Sequence, residues 1–173
     1  MDERERARIR AAIDAAETGG THPHPSDAQL RALLEGSATI AIVGASPRPD
    51  RPSHGVLRAL AAAGWRVIPV NPTPEALAEG IAGLPCHPTL EAAAASLGEG
   101  RIDLVDVFRR SEACARVADE AVAIGATGLW LQLGIVSPAA AAIAVAAGLS
   151  FVQDRCTAIE ARRLGVRGPR PRA

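Results

Sequence analysis

From Thr39 onward the chain alternates short apolar runs with amphipathic stretches. The runs are Thr39–Val43 (TIAIV), Arg66–Val70 (RVIPV), Ile102–Phe108 (IDLVDVF), Gly128–Leu133 (GLWLQL) and Ser150–Gln153. A run of four to seven residues that is apolar on both faces suits a strand buried between two helix layers. Between the runs lie helical patterns. Cys114, Val117, Ala118, Ala121 and Val122 follow the i, i+3, i+4, i+7, i+8 spacing of a buried helix face. Ser137-Pro138 reads as an N-cap followed by proline at the first helical position, and Gly64, Gly125 and Gly148 stand where helices should stop. The repeat length is near the ~30 residues of a βαβ unit, which calls for a parallel sheet with helices on both faces. A short extra edge strand is expected around Leu84 to His87.

Before Thr39 the pattern is helical. Asp2 to Ala16 is a polar helix stopped at Gly19-Gly20, and Thr21 to Pro25 is a linker. Ser26 caps a helix through Glu35 that carries Leu30, Leu33 and Leu34 on one face and ends at Gly36. Three segments follow: a helical extension (1–38), a three-layer Rossmann-type parallel α/β domain (39–164) and a basic, proline-rich tail (165–173) expected to be mobile.

Composition narrows the function classes. The 173 residues are 48% hydrophobic but only 2% aromatic, so the core must be aliphatic. The formal net charge is +0, which points to neither nucleic acid nor a membrane surface. No stretch reaches the ~20 apolar residues of a membrane helix. The alternating charges of Met1 to Arg10 do not suit a secretory signal. Three widely spaced cysteines, Cys86, Cys114 and Cys156, form no metal or disulfide pattern, and a cytoplasmic protein with reduced thiols is expected. All 19 basic residues are arginine, so a Walker A loop, which needs lysine, is excluded.

In a doubly wound sheet, ligands bind beyond the C-terminal ends of the strands. After the first run come Gly44-Ala45-Ser46, then Arg51-Pro52-Ser53-His54. Gly44 permits a tight turn and close approach. Ser53 is the expected N-cap of a helix whose free N–H groups attract phosphate, and Arg48 and Arg51 could add charge-assisted bonds. An ordinary proline-stiffened βα loop would explain the same residues. After the second run stand Asn71-Pro72, where a reader of the NAD ribose places a carboxylate. Asn71 can still bond a ribose or base, and equally it is a common turn opener. Phe108-Arg109-Arg110 could flank an adenine or hold a phosphate; alternatively Phe108 is core and the arginines are solvated. Gln132, followed by Leu133-Gly134, needs partners if buried. Asp154-Arg155 reads as an ion pair closing the last strand. Cys114 is expected in the core, and Cys156 could meet a thiol ligand in a mixed disulfide, although packing explains it as well. No catalytic triad, HExxH motif or carboxylate pair is present in the sequence, so no catalytic or metal-ligating residue is assigned.

Five collinear blocks then resemble the small CoA-binding proteins, single Rossmann domains similar to the CoA-binding domain of the succinyl-CoA synthetase α subunit. They are Val43-Gly44-Ala45-Ser46 with Arg51 to His54, Val67 to Pro72, Asp103 to Arg110, Trp130 to Ile135, and Asp154 to Cys156 with Ile159-Glu160. The resemblance implies a diphosphate at Gly44–Ser46 and the helix near Ser53, with Asn71 and Pro72 bordering the nucleotide. It further implies an adenosine side at Phe108 and Arg109 and a pantetheine side at Gln132, Leu133 and Gly134. The second, phosphohistidine-bearing domain of the synthetases has no counterpart here, so acyl-CoA synthesis is not implied.

The expected function is non-covalent binding of coenzyme A or an acyl-CoA by a module without its own catalytic residues, a partner protein supplying any chemistry. The alternatives are an NAD(H)- or nucleotide-binding sensor, the CoA-binding subunit of an acyl-CoA ligase, and a Rossmann domain kept only for protein contacts.

Overall fold

The structure, a computed structural model, describes residues 24–169. The helix expected over Asp2 to Ala16, its Gly19-Gly20 stop and most of the Thr21–Pro25 linker lie outside the described residues. In chain order the elements are α1 (Asp27–Glu35), β1 (Thr39–Val43), α2 (Pro52–Ala62), β2 (Arg66–Val70), α3 (Pro74–Glu79) and α4 (Leu90–Ala95). They continue with β3 (Leu104–Val107), α5 (Ser111–Ala123), β4 (Gly128–Leu131), α6 (Pro138–Ala146), β5 (Ser150–Val152) and α7 (Thr157–Leu164). No described helix is long and apolar enough to cross a membrane.

The five strands form one parallel sheet in the order β2-β1-β3-β4-β5. Each strand uses its alternation to feed two cores. Ile40, Ile42, Leu104, Trp130 and Val152 face α1, α2 and α7. Ala41, Val43, Val105, Val107, Leu129 and Leu131 face α4, α5 and α6. This is why the runs read as continuously apolar: both faces are covered. The result is a three-layer, Rossmann-like α/β fold. Its strand order reverses between β1 and β3, which puts the switch point, and the crevice of such folds, above those two strands.

Local chemistry explains the helix ends. Ser26 closes a full capping box with Gln29, its hydroxyl taking the Gln29 amide at 3.2 Å while Gln29 Oε1 takes the Ser26 amide at 2.8 Å. Leu30, Leu33 and Leu34 are all buried. Ser137 accepts from the Ala140 amide, with Pro138 opening α6. Cys114, Val117, Ala118 and Ala121 are the buried face of α5. Trp65 ties the end of α1 to the sheet, its indole N–H lying 2.9 Å from the Ser37 carbonyl and 3.3 Å from that of Leu34.

Three expectations need correction. Leu84 to His87 is not a strand. One parallel bridge joins Val70 to His87, and Pro85 inside the segment and Pro88 just after it can donate no ladder bonds. Pro69 itself lies in β2 and is tolerated because β2 is an edge strand. The start of the tail expected over 165–173 is docked, while residues 170–173 lie outside the described residues. Val166 is buried, and the Gly168 amide donates to the Ala63 carbonyl at 3.1 Å, so this apolar residue docks the chain against the end of α2. Finally, Asp154 and Arg155 do not pair. Asp154 accepts from the Gly134 amide at 2.7 Å, and Arg155 reaches Glu160 at 3.3 Å.

Candidate functional site

At the switch point, the chain leaves β1 through Gly44, whose φ is 84°. A Cβ here would lie 2.5 Å from the Phe108 carbonyl oxygen and 3.3 Å from Arg109 Cδ. The glycine is therefore demanded by the neighbouring end of β3 as well as by the turn.

The following loop is held from two sides. Asn71 Nδ2 donates to the Ala45 carbonyl at 2.6 Å, and Asn71 Oδ1 accepts from the Thr73 amide at 2.9 Å. His54, buried at the start of α2, lies with Nδ1 3.0 Å from the Ser46 carbonyl. A carbonyl only accepts, so Nδ1 carries the proton. In a trans peptide the C=O and N–H point in opposite directions. Drawing the Ala45 carbonyl toward Asn71 therefore turns the Ser46 amide the other way. The amides of Ala45, Ser46 and Ser53 have no acceptor among the described residues.

The N-cap of α2 is Arg51, not Ser53: Pro52 occupies the first helical position, and the buried Ser53 follows it inside the first turn. Proline starts the helix two residues earlier than a Ser53 cap would. No side chain caps this end and no acidic residue lies in its first turn, so nothing within that turn compensates the positive end of the helix dipole. Arg51 is exposed, while Arg48 is held by Asp50 at 3.1 Å.

Phe108 is half-buried against the α1/α2/α7 core. Arg109 turns to the other face, where it shares a cavity of about 360 Å³ with Val43, Val70, Pro72, Thr89 and Arg116. Arg116 is bound to Glu120 at 3.0 Å, whereas Arg109 has no ion-pair partner among the described residues. Thr89 and Arg116 carried no sequence signal; the fold alone brings them beside Arg109.

Gln132 is buried in a polar network. Its Nε2 lies 2.8 and 2.9 Å from the two Asp106 carboxylate oxygens and 2.7 Å from Thr157 Oγ1, and Thr157 Oγ1 donates to Asp106 Oδ2 at 2.8 Å. Asp106 is fully buried. Burial pushes its carboxyl up to about 7, against the Gln132 and Thr157 bonds that pull it down. Sequence reasoning passed over Asp106 and Thr157, although a carboxylate in the middle of an apolar strand is a legible signal of a buried polar network. Leu133 is 66% exposed and begins the loop that Asp154 holds through the Gly134 amide. Cys114 is core, and Cys156 is half-buried at the N-cap of α7.

A five-stranded parallel sheet covered by helices on both faces, with its switch point between β1 and β3, defines a Rossmann-like α/β domain. Residues 38–162 match the CoA binding domain family, and the chain belongs to that family. It is 40% identical over 134 residues to the Bacillus subtilis (strain 168) protein YneT, covering 77% of this chain and 92% of that one. A solved structure from Thermus thermophilus superposes with a TM-score of 0.70 at 36% identity, covering 81% of this chain and 99% of that one. The fold also matches part of the acetyl-coenzyme A synthetase 1 of Ca. Korarchaeum cryptofilum, with a TM-score of 0.55 at 24% identity, over 70% of this chain and 27% of the synthetase.

Proposed function

We propose that the chain binds coenzyme A or an acyl-CoA non-covalently at the switch point. The observation that carries this reading is the start of α2: an uncapped helix end without acidic residues in its first turn, where the Ser53 amide, like the Ala45 and Ser46 amides of the loop before it, has no acceptor among the described residues. Together these are a seat for a diphosphate, with Gly44 setting the turn and Arg51 beside it. Pro72 and Arg109 border the nucleotide through the cavity they share, and Phe108 lies at its edge. Leu133 and Gly134 line the pantetheine side, with Gln132 beneath them. Asn71 and His54 act through the loop they brace. Membership of the CoA binding domain family supports CoA among the diphosphate ligands.

The NAD(H) reading is disfavoured by the role of Asn71. A ribose-binding carboxylate at this position could not donate to the Ala45 carbonyl and would face it at the 2.6 Å now bridged by a hydrogen bond. Any acyl transfer is the work of a partner protein, and the cytoplasm is the expected compartment. Calorimetric titration with CoA, dephospho-CoA, NADH and AMP tests the reading. CoA should bind more tightly than NADH; no heat with CoA at millimolar concentration, or a preference for NADH, defeats it.

A further inference from the structure

The Asp106–Gln132–Thr157 network has no part in seating a diphosphate, yet it joins the C-terminal ends of β3 and β4 to the first residue of α7. Its hydrogen-bond inventory is constrained. An ionised carboxylate only accepts, so it requires donors from both neighbours, and it receives the Gln132 amide and the Thr157 hydroxyl. This orientation leaves Gln132 Oε1 without a partner among the described residues. Arg155 Nε is the one completely sealed side-chain nitrogen or oxygen lacking a bond among them, so Gln132 Oε1, on a buried residue at the end of β4, is not completely sealed.

A protonated carboxyl changes the arithmetic. It gains one O–H donor, which is satisfied by the carboxamide oxygen once the Gln132 amide has rotated by half a turn. The NH₂ group then faces outward. We infer that Asp106 is a proton-linked positioning residue: its charge state decides whether Gln132 offers an acceptor or a donor to a ligand lying over the end of β4. This rests on the CoA reading above, in which Gln132 lies under the pantetheine side. A pantetheine arm carries both amide N–H and C=O groups, so exchanging donor for acceptor alters how it is held.

The groups packed around Asp106 leave it to titrate on its own. β1 and β4 contribute uncharged side chains, and α1 contributes leucines. His54 on α2 is engaged by the Ser46 carbonyl. At the start of α7, Arg155 is paired with Glu160, which also holds Arg163, and Cys156 is a thiol. Asp103, before β3, is tied to the Ala38 and Thr39 amides and to Arg101. None of these charges is among the causes that move the Asp106 carboxyl; burial and its own hydrogen bonds are.

The test is NMR on the full chain, following the Asp106 ¹³Cγ and the Gln132 side-chain amide signals from pH 5 to 9. Both should move together with a common midpoint near neutrality, and Thr157→Val, which removes one donor to the carboxylate, should raise that midpoint. Asp106→Asn should leave the Gln132 signals independent of pH. An Asp106 carboxyl that titrates near 4 or not at all, or one that titrates while Gln132 stays still, overturns the inference. The wild-type and Thr157→Val measurements stand if Asp106→Asn fails to fold. A parallel CoA titration across the same pH range separates the two ideas. Coupled NMR titration without CoA binding defeats the CoA reading alone; CoA binding with an inert Gln132 defeats the positioning role alone.

Discussion

Gly44→Ala is the sharpest test of how the mouth of the sheet is built. The new methyl carbon would lie 2.5 Å from the Phe108 carbonyl oxygen, on a residue whose φ is 84°. Two penalties add. An L-residue in this left-handed region costs ~1–2 kcal/mol. Overpacking against an unyielding neighbour costs a further ~1–3 kcal/mol. The neighbour cannot give easily, because the Phe108 amide donates to the Val43 carbonyl at 2.8 Å and so fixes the end of β3 against β1. The sum is about 3 kcal/mol, which for a chain of this size lowers Tm by roughly 10 °C. Thermal and urea unfolding of purified wild-type and variant proteins measure it. Gly55→Ala is the internal control. Gly55 lies inside α2 without a positive φ, and nothing stands within 4 Å of its added Cβ. Alanine there should stabilise by ~0.5–1 kcal/mol. A Gly44→Ala protein melting within about 2 °C of wild type, a shift worth less than 1 kcal/mol, would refute the claim that the Phe108 carbonyl dictates the glycine.

Asn71→Ala should weaken CoA binding with the fold retained, and cost ~1–2 kcal/mol of stability from the unmatched Ala45 carbonyl; Asn71→Asp should do worse, since it sets a carboxylate against that carbonyl, and calorimetry with urea unfolding reads both. Trp65→Phe keeps the packing but strips the N–H from the Leu34 and Ser37 carbonyls, so a loss of ~1–2 kcal/mol in urea unfolding is expected, and an unchanged midpoint would contradict the tie between α1 and the sheet. The pH dependence has a defined sign. The Asp106 carboxyl titrates at about 7 when folded, above its ordinary 3.8, so the folded state holds the proton longer and stability falls as pH rises between those values. The slope is at most ~1.4 kcal/mol per pH unit. The difference between wild type and Asp106→Asn isolates it, and a difference that stays flat from pH 4 to 7 would count against the buried carboxyl.

Local pattern made much of this protein legible. The apolar runs identified all five strands, because a strand covered on both faces leaves no polar alternation to obscure it. Ser26 and Ser137 announced their helices because capping is settled within three residues. The cap of α2 was misplaced from Arg51 to Ser53, since Pro52 starts the helix and Ser53 is drawn inside its first turn. The docking of Val166 at the start of the tail had no local signal, because its seat belongs to the core around α2 and α7 and not to its own neighbours in sequence.

What the sequence alone determined is the class: a parallel α/β chain, the places where it turns, and the residue types gathered at the strand ends. Only the tertiary structure decided what those residues do. Gly44 answers to a carbonyl 64 residues away, Asn71 to a loop 26 residues before it, and Gln132 to a carboxylate 26 residues earlier. The physical reason is that helix, strand and cap preferences are set over a few neighbouring residues, whereas a hydrogen-bond partner or a steric limit depends on which strands lie side by side. The order β2-β1-β3-β4-β5 is fixed by how the two apolar cores close over the sheet, and no local stretch of the chain encodes it.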